Sequence, residues 1–594
     1  MSASGAHAER TWRPRPRSSE PGPGVAEVVR DLALPPTVAR FLAVRGLTSV
    51  DEIRAFLRPR LEDLGDPHRL ADLPEAIARL SRALDAGETI FVHGDYDVDG
   101  MCGAALYART LRRLGAAVVP FVPHRTRDGY DLSEAGVERA VEAGASVLLT
   151  VDCGSVAHQA VALARERGLD VIVTDHHQLG PTLPPALAVV NPARADCRYG
   201  EPLCGSGVAF KVCEALVTAR GGDRDALLWE LDLVALATVA DLVPLAGENR
   251  VLARYGMRVL ANTRNAGLAA LLRESGVDPA ALRTRDLSHA LAPRLNAVGR
   301  LEDAAQGLAL LLGDPGHDVH ATARALNDLN RRRQELDRAI LEEALEAATA
   351  RYDVAESRGV VVAGRGWHPG VIGIVASRLV ERLHRPTFVL ALPDGEGLAR
   401  GSGRSIPGFD LVGALAECAP MLHRFGGHAM AAGLDMAADR VEEFRSAFEA
   451  VAERRLGPEQ LVPTVRFDAD LPLPQALEEF AAFQPHMEPF GMGNPTPTFL
   501  ARQVSVVGAP RVVGSGHLRL RLLHHGSESE AIGFDFADEW GSVAPGTSLD
   551  VLYQLRDDHW RGRRRTQVRL VDLRAASAPD SLPLTPSPGT GTGT

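Results

Sequence analysis

Lysine, cysteine and long apolar runs are all scarce in this chain of 594 residues. Lys211 is the only lysine, so arginine carries nearly all of the positive charge. The six cysteines form no CxxC pair, so neither a zinc knuckle nor a disulfide framework is indicated, and we expect reduced thiols. We find no apolar stretch long enough to cross a bilayer and no secretory leader, and we therefore expect a cytoplasmic protein without membrane contact.

The charge balance narrows the possible partners. A net charge of −11 at pH 7 argues against a protein that coats nucleic acid over its whole surface, but it permits a local basic groove. Arginine suits bidentate contacts with phosphate, although a GC-rich genome explains its excess equally well. The hydrophobic content of 45% and the charged content of 24% are those of a globular protein, and the length predicts about two to four domains.

Hydrophobic periodicity predicts an α/β protein, with alternating strands and helices first and a period-two region later. The parallel strands that we predict in the first part include Thr89–His93, Ser146–Val151 and Val171–Thr174. The predicted regions are a disordered tail (1–25), an α/β domain with a helical extension (26–320), a connecting helix (321–352), a second α/β lobe (353–460), a small β-barrel (461–575) and a disordered tail (576–594).

Acidic and imidazole side chains follow three of the apolar strands. They lie in the segments Phe91–Gly100, Leu148–Gly154 and Val171–His177. Because ligands bind beyond the carboxyl ends of the strands in an open α/β sheet, we expect these side chains to converge on one crevice. Carboxylates and imidazoles that close together repel and desolvate one another unless cations lie among them. The pattern therefore predicts a metal site.

The types of ligand atom indicate which metal the site binds and which reaction it supports. Oxygen and imidazole ligands without sulfur favour Mn²⁺ or Mg²⁺ over structural zinc. Two such ions ~4 Å apart activate water and hold a phosphoryl group, which predicts hydrolysis of a phosphate ester or anhydride. Each residue alone has a simpler explanation. Taken alone, Asp152 and Asp241 are explained as residues at helix ends. His176 and His177 are explained as surface residues, and the acids that follow Phe91–His93 as part of a solvated loop.

Polar runs in the second half of the chain suggest how a nucleic-acid strand is held. Gly401–Arg404 offers close backbone amides, a hydroxyl and a guanidinium for a terminal phosphate, although a plain glycine-rich turn is the simpler explanation. Gly426–His428 permits close approach to a strand. Trp560 lies among arginines at a predicted hairpin tip, which suits base stacking combined with phosphate attraction; a solvated hairpin is the alternative.

Several motifs together carry a resemblance to a known family. The chain resembles the DHH phosphoesterases, and within them the RecJ family of bacterial single-strand-specific 5′→3′ exonucleases, over residues 30 to 575. The resemblance implies a DHH lobe, a long helix, a DHH-associated lobe and an OB-fold in that order. The segments that carry it are His93–Gly100, Asp175–His177, Trp367–Arg378, Phe425–His428 and Pro485–Pro497.

The resemblance also implies roles for individual residues. It makes His177 the catalytic histidine beside the scissile phosphate and Asp152 the ligand that bridges two Mn²⁺ or Mg²⁺ ions. Either Asp95 or His93 adds a ligand to the first ion, and Asp95 is in addition a candidate catalytic residue. The remaining implied ligands are Asp97, Asp99, His176 and Asp241. The candidate substrate-binding residues are Arg294, Asn296, Arg300, Ser402, Gly403, Arg404, Gly427, His428 and Trp560.

The family further implies a monomer that acts on single-stranded DNA in repair and recombination. A single-strand-binding protein and a RecQ-like helicase are candidate partners. Three alternatives stay open from the sequence. Other DHH enzymes hydrolyse oligoribonucleotides, cyclic dinucleotides or pyrophosphate. A decayed DHH core would make a non-catalytic, DNA-binding replication factor, and a purely structural single-strand binder would need neither the acids nor the histidines. The intact acids at Asp97, Asp99, Asp152 and Asp241 argue against decay.

Overall fold

The chain folds into two compact units that interleave along the sequence. The computed structural model describes residues 10–16, 24–125, 127–129, 131–353, 355–395, 397–560 and 563–576, without the side chains of 24–26 and 557–565. The first unit contains the described residues of Met1–Arg58, Pro463–Glu488 and Thr496–Thr594. The second contains those of Pro59–Val462 and Pro489–Pro495.

The strands and helices are numbered separately in chain order. The strands are β1 Thr11–Pro14, β2 Thr89–Gly94, β3 Ala117–Phe121, β4 Val147–Val151, β5 Asp170–Thr174, β6 Ala188–Val190, β7 Val360–Arg365, β8 Thr387–Leu392, β9 Leu398–Arg404, β10 Arg424–Gly427, β11 Ala431–Ala437, β12 Thr464–Phe467, β13 Ala469–Asp470, β14 Phe499–Val513, β15 His517–His524, β16 Ser527–Gly533, β17 Ser548–Trp560 and β18 Arg563–Ala575. The helices are α1 Gly24–Leu32, α2 Pro36–Val44, α3 Val50–Leu57, α4 Leu73–Ala86, α5 Val98–Arg113, α6 Glu134–Glu142, α7 His158–Glu166, α8 Gly205–Ala219, α9 Arg224–Leu228, α10 Leu231–Ala240, α11 Gly247–Ala261, α12 Ala266–Glu274, α13 Thr284–Asp286, α14 Ala292–Leu301, α15 Ala305–Leu312, α16 Val319–Arg351, α17 Ile372–Leu383, α18 Leu411–Glu417, α19 Val441–Arg455, α20 Leu473–Gln475, α21 Gln484–Met487 and α22 Ala537–Trp540.

A five-stranded parallel sheet organises the first lobe of the second unit. Its strand order is β3-β2-β4-β5-β6, and every neighbouring pair is parallel. All residues of β4 are buried, as continuous apolar strands in a sheet covered on both faces should be. Because β2, β4 and β5 are adjacent, the segments that follow them emerge side by side at one edge of the sheet. The predicted parallel sheet is confirmed.

The second lobe of this unit has a mixed sheet with the order β10-β11-β9-β8-β7. Helix α16 precedes it and contains 33 residues, which corresponds to about 50 Å. Asp318 caps this helix by accepting hydrogen bonds from the amides of His320 and Ala321. Within the described part of the chain, no helix combines the length and the apolarity needed to span a bilayer.

The first unit is built on a closed barrel. The order β13-β14-β15-β16-β18-β17 is closed by pairing between β14 and β17, as expected for the period-two region. Two expected boundaries are wrong here. Thr11–Pro14 is a strand paired with Thr464–Phe467, whereas we expected a disordered tail over 1–25. Helices α1 to α3 belong to this unit, whereas we expected them in the 26–320 domain. Trp12 holds β1 in place by donating to Asp572 at 2.8 Å.

A short segment of the predicted barrel region belongs instead to the second unit. Pro489–Pro495 packs behind the turn that follows helix α10. The Leu245 amide donates to the Met492 carbonyl at 2.7 Å, and the Thr284 hydroxyl donates to the Phe490 carbonyl at 2.7 Å. The expected 461–575 domain is therefore interrupted by Pro489–Pro495. Period-two patterning does not predict this interruption, because the contacts join residues that lie far apart in the sequence.

Lys211 lies on helix α8 and is completely buried. Its ammonium group is 2.5 Å from Glu248 and 3.1 Å from Glu214, and it donates to the Gly65 carbonyl at 2.8 Å. A buried charge is stable only when it is paired and hydrogen-bonded. The single lysine of the chain therefore stabilises the buried core around α8.

We expect Lys211→Met to lower the free energy of unfolding by about 3–5 kcal/mol, because it leaves the buried Glu248 without its cation. Arg331→Met is the control. It breaks an exposed 3.0 Å pair with Asp328 on helix α16 and should cost less than about 1 kcal/mol. Thermal unfolding measures both variants, and equal midpoints would contradict the prediction.

Candidate metal centre

The turn between β2 and α5 carries three acidic residues. Asp97 caps helix α5 by accepting from the amides of Asp99 at 2.9 Å and Gly100 at 3.2 Å. Residue 100 must be glycine, since a Cβ there would lie 2.3 Å from backbone atoms of Asp95. The close approach folds the turn back, so that Asp95 and Asp97 point toward the same place.

Asp99 is held by a second helix. Its carboxylate accepts from the amides of Gly205 at 2.6 Å and Ser206 at 2.7 Å, at the N-terminus of helix α8. The positive end of the helix dipole favours a carboxylate at this position. Sequence reasoning missed Gly205 and Ser206, because they act through backbone amides that any residue type provides.

Two further acids complete the oxygen donors. Asp152 follows β4 with a φ of 65°, in the left-handed region that few residues other than glycine adopt. Its amide donates to the Thr174 carbonyl at 3.1 Å, which fixes this backbone. Asp241 ends helix α10 as its C-cap. Backbone strain at a well-supported position is characteristic of functional sites.

The tandem histidines after β5 are oriented by the acid that precedes them. Asp175 accepts from the His177 Nδ1 atom at 2.8 Å and from the His176 amide at 2.7 Å. Its other oxygen accepts from the Ser155 amide at 3.0 Å. Both carboxylate oxygens of Asp175 thereby accept hydrogen bonds, and the bond with Nδ1 fixes the orientation of the His177 ring.

The ligand atoms of these segments form three overlapping groups in which all atoms lie within 4.8 Å of one another. Asp152 and His176 each belong to two groups, which places them at the centre of the site. The His176 Nε2 atom is 3.1 Å from Asp152, 3.7 Å from Asp241 and 3.8 Å from Asp99. The groups are Asp152, Asp175, His176 and His177; Asp99, His176 and Asp241; and Asp95, Asp97 and Asp152.

Burial and mutual repulsion shift the pKa values of the carboxylates upward. Burial is the main cause at Asp95, Asp97 and Asp152, and neighbouring acids add to it. Burial followed by the charges of Asp99 and Asp97 raises the pKa of Asp241 to about 8. A set of acids with raised pKa values is one that lacks sufficient positive charge.

The pKa values of the two histidines and of Asp175 shift in different directions. Burial lowers the pKa of His176, which favours the neutral imidazole that binds metals. The hydrogen bond with Asp175 raises the pKa of His177 to about 9. Burial alone would raise the pKa of Asp175, but its hydrogen bonds and the charge of His177 outweigh this effect and lower it to about 2.

The donor set fits a hard divalent cation. Asp95 is 5% exposed, and its Oδ1 atom has no hydrogen-bond partner among the described residues. Carboxylate oxygens and one neutral imidazole are the ligands that Mn²⁺ and Mg²⁺ accept. Cations would also relieve the repulsion that raises the pKa values of the acids.

His93 lies outside the three groups, although it was a candidate ligand. It is fully buried, its ring is 5.2 Å from that of Phe121, and its Nδ1 atom is 3.6 Å from the Cys153 sulfur. Burial lowers its pKa to about 4, so the ring is neutral. Of the two alternatives left open by the sequence, Asp95 is the one that the structure brings to the metal groups.

Ser402 and Arg404 lie on strand β9 beside the first turn of helix α17. The Arg404 guanidinium donates to the Ser402 hydroxyl at 3.1 Å and to the Gly403 carbonyl at 2.8 Å. A Cβ at Gly373 would lie 3.0 Å from the Ser402 hydroxyl and 3.1 Å from Arg404. Glycine therefore lets the helix amides approach a hydroxyl and a guanidinium, which is an arrangement suited to an anion.

Further arginines surround Arg300 of helix α14. Burial, followed by the charges of Arg125, Arg333 and Arg404, lowers the pKa of Arg300 to about 10. Arg300 also donates to the Gly370 carbonyl at 3.3 Å, immediately before α17. Neighbouring cations at a partly buried site favour binding of a phosphate group.

The other predicted substrate-binding residues have diverse positions. Arg294 donates to Asn327 at 3.0 Å and to the Ala290 carbonyl. Asn296 accepts from the Val98 amide at 3.1 Å, at the start of helix α5. Gly427 and Gly403 both pair with Ala432 across the sheet, and His428 follows at the exposed end of the hairpin. The side chain of Trp560 lies outside the described residues, so its role stays a prediction.

Sequence reasoning also missed Asp131, which accepts from the Gly154 amide at 2.7 Å and so supports the turn after Asp152. No motif marks it, because it lies in a loop far from the strand ends. Asp175 belongs to the segment Asp175–His177 but is not among the predicted site residues; its position directly before the two histidines is the available signal.

Family models match all three folded parts of the chain. The DHH family, N-terminal domain, matches residues 89–238, the DHHA1 domain matches residues 357–454, and the RecJ OB domain matches residues 467–572. These ranges contain, in order, the parallel sheet, the mixed sheet and the barrel.

Named relatives and solved structures agree with these matches. The single-stranded-DNA-specific exonuclease RecJ of Dickeya dadantii is 37% identical, over 91% of this chain and 96% of its own length. The protein of the same name from Bacillus subtilis is 36% identical, over 92% of this chain and 69% of its own. The structure of RecJ from Thermus thermophilus in complex with Mn²⁺ is 34% identical with a TM-score of 0.81, covering 96% of this chain and 80% of its own. A second structure of that protein contains Mg²⁺ and has a TM-score of 0.76. The identity and coverage place this chain in the RecJ family of single-stranded-DNA-specific exonucleases.

Proposed function

We propose that this protein is a metal-dependent exonuclease that degrades single-stranded DNA from its 5′ end to mononucleotides. The observation that carries the proposal is the convergence of three strand ends on Asp152 and His176, with ligand atoms within 4.8 Å. Such a set of acids requires cations and suits phosphodiester hydrolysis. The match over 96% of the length of the Dickeya dadantii exonuclease favours this reading over small-substrate DHH enzymes.

Two divalent ions, Mn²⁺ or Mg²⁺, supply an activated water and neutralise charge on the phosphoryl group. When bound, one ion would be held by Asp95 and Asp97 and the other by Asp99, His176 and Asp241, with Asp152 as a ligand available to both. The backbone contacts of these residues keep the acids in place before the ions bind, so little reorganisation is required.

His177 acts on the scissile phosphate. Its Nδ1 atom faces Asp175, which leaves Nε2 free to point toward the substrate, and the side chain is 39% exposed. Its hydrogen bond with Asp175 raises its pKa to about 9 in the absence of metal ions, which favours the protonated ring. It donates a hydrogen bond to a phosphoryl oxygen and stabilises the charge that develops there.

The second lobe fixes the 5′ end. Ser402, Arg404 and the first turn of α17 receive the terminal phosphate, and Arg300 contributes a neighbouring positive charge. Because a free 5′-phosphate is the group that fits, the pocket sets the polarity of degradation. Two further candidates, Gly427 and His428, lie at the end of β10 in the mixed sheet and approach the leading nucleotides.

The barrel gathers the single strand. Arg511 and Arg519 are directly opposite each other on neighbouring strands, and both are exposed, as is Arg521. Like charges opposite one another destabilise a sheet, and the phosphates of a bound strand would offset that repulsion. Trp560 adds base stacking. A cytoplasmic location, a monomeric state, a single-strand-binding protein and a RecQ-like helicase as partners remain predictions.

We expect Asp97→Asn and His177→Ala to lower the rate of mononucleotide release by about 10²–10⁴-fold. Asparagine retains the cap of α5, so the fold of Asp97→Asn is preserved. Single-stranded DNA labelled separately at each end, with Mn²⁺ and with chelator, measures the activity and its polarity. Asp328→Asn, which changes an exposed acid of α16, is the control. Wild-type rates for both site variants would refute the assignment.

We expect Arg404→Gln to abolish the preference for a 5′-phosphate over a 5′-hydroxyl, because a charge-assisted hydrogen bond is lost. The loss should amount to about 10- to 100-fold in kcat/KM for the phosphorylated strand. Arg400→Gln is the matched control, since Arg400 lies on the same strand but is exposed. An unchanged ratio between the two substrates in Arg404→Gln would show that the end is recognised elsewhere.

The pKa values also predict how metal changes stability with pH. Asp241 has a folded pKa of about 8, above its unfolded value, so its stabilising effect is lost as the pH rises from about 4 to 8. His177, with a folded pKa of about 9, loses its effect as the pH rises from about 6.5 to 9. In chelator, the melting temperature should therefore fall between pH 5 and 9.

Mn²⁺ should remove most of this fall, since the ions favour ionised acids. Asp241→Asn should flatten the profile recorded in chelator, whereas Asp328→Asn should leave it unchanged. Identical profiles with and without Mn²⁺ would contradict a metal site at these residues.

A further inference from the structure

Asn191 lies at the end of β6 and is completely buried. Its amide nitrogen donates to the His177 carbonyl and to the Ser155 hydroxyl, both at 2.9 Å. Its amide oxygen accepts from the Ala193 amide at 2.8 Å. A backbone carbonyl only accepts and a backbone amide only donates, so the orientation of this side chain is fixed without ambiguity.

The contacts of Asn191 close a ring around His177. The Ser155 amide donates to Asp175, and Asp175 accepts from the His177 ring. Asn191 is bonded to both Ser155 and the His177 backbone. Asp175 therefore holds the ring and the amide of His177, and Asn191 holds its carbonyl group. Catalytic groups depend on such support to stay within reach of the reacting atoms.

We propose that Asn191 is a positioning residue that acts through His177, and this inference rests on the function proposed above. Asparagine is suited to the role because it offers two donors and an acceptor on one short planar group. Aspartate would lose both donors, and alanine would leave the His177 carbonyl without its partner. The alternative is that Asn191 only stabilises the fold.

A double-mutant cycle with His177 separates these two roles. Asn191→Ala should lower kcat by about 10- to 100-fold, as loss of a supporting contact does. The KM for 5′-phosphorylated single-stranded DNA and the dependence of the rate on Mn²⁺ should stay within about twofold of wild type, because neither the phosphate pocket nor the ligands are touched. Once His177 has been replaced by alanine, adding Asn191→Ala should have no further effect on the rate.

Asn265→Ala is the matched control for stability. Asn265 is also buried, donates to the Leu311 carbonyl at 2.8 Å and caps helix α12. It should lower the melting temperature as Asn191→Ala does while kcat is retained. If Asn191→Ala does not fold, Asn191→Ser provides a shorter donor at the same position and enters the same cycle.

Each outcome has a distinct meaning. A rate loss in Asn191→Ala that adds fully to that of His177→Ala would overturn the inference, as would an unchanged kcat. A fully active His177→Ala would instead overturn the role of His177 in the proposed function. Non-additivity of the two changes, with KM preserved, supports the positioning role.

Discussion

Repulsion among carboxylates at one edge of a buried sheet is the constraint on which the rest of this structure depends. Adjacent parallel strands necessarily bring their carboxyl ends to the same edge of the sheet. Acids at those ends meet in a low-dielectric environment where they cannot all be ionised without cations. The surrounding backbone opposes any relaxation, because Gly100, the amides of α8 and the left-handed Asp152 each fix one acid. The energy that would separate the acids is instead available for binding metal ions.

Positive and negative side chains are segregated within the second unit. Carboxylates cluster at the end of the parallel sheet, while guanidinium groups cluster around Arg300 and Arg404. The net charge of −11 therefore conceals a local separation of charge.

The strands, their order of appearance and the donor residues at their ends could be predicted because they depend on local patterns. Apolar runs mark β2, β4 and β5, and the acids follow them directly. The sequence could not show whether Asp95 or His93 is the ligand, since that depends on which of the two side chains points toward the other acids. Asp131 and the backbone amide of Gly205 were not predicted for a similar reason. Their hydrogen-bond partners lie far away in the sequence, and a backbone amide is not marked by any particular residue type. The strand Thr11–Pro14 was mistaken for a tail because its proline and arginine content is also that of a disordered segment.

The interleaving of the two units has a consequence for how the protein is divided. Pro489–Pro495 supplies carbonyl groups to the Leu245 amide and the Thr284 hydroxyl, and Leu245 follows shortly after the candidate ligand Asp241. A recombinant fragment that ends at the linker near residue 462 would contain every candidate ligand yet lose the backbone partners of this turn. The second unit is thus not contiguous in sequence, and exchange of the C-terminal region between homologues would also exchange the backbone partners of Leu245 and Thr284.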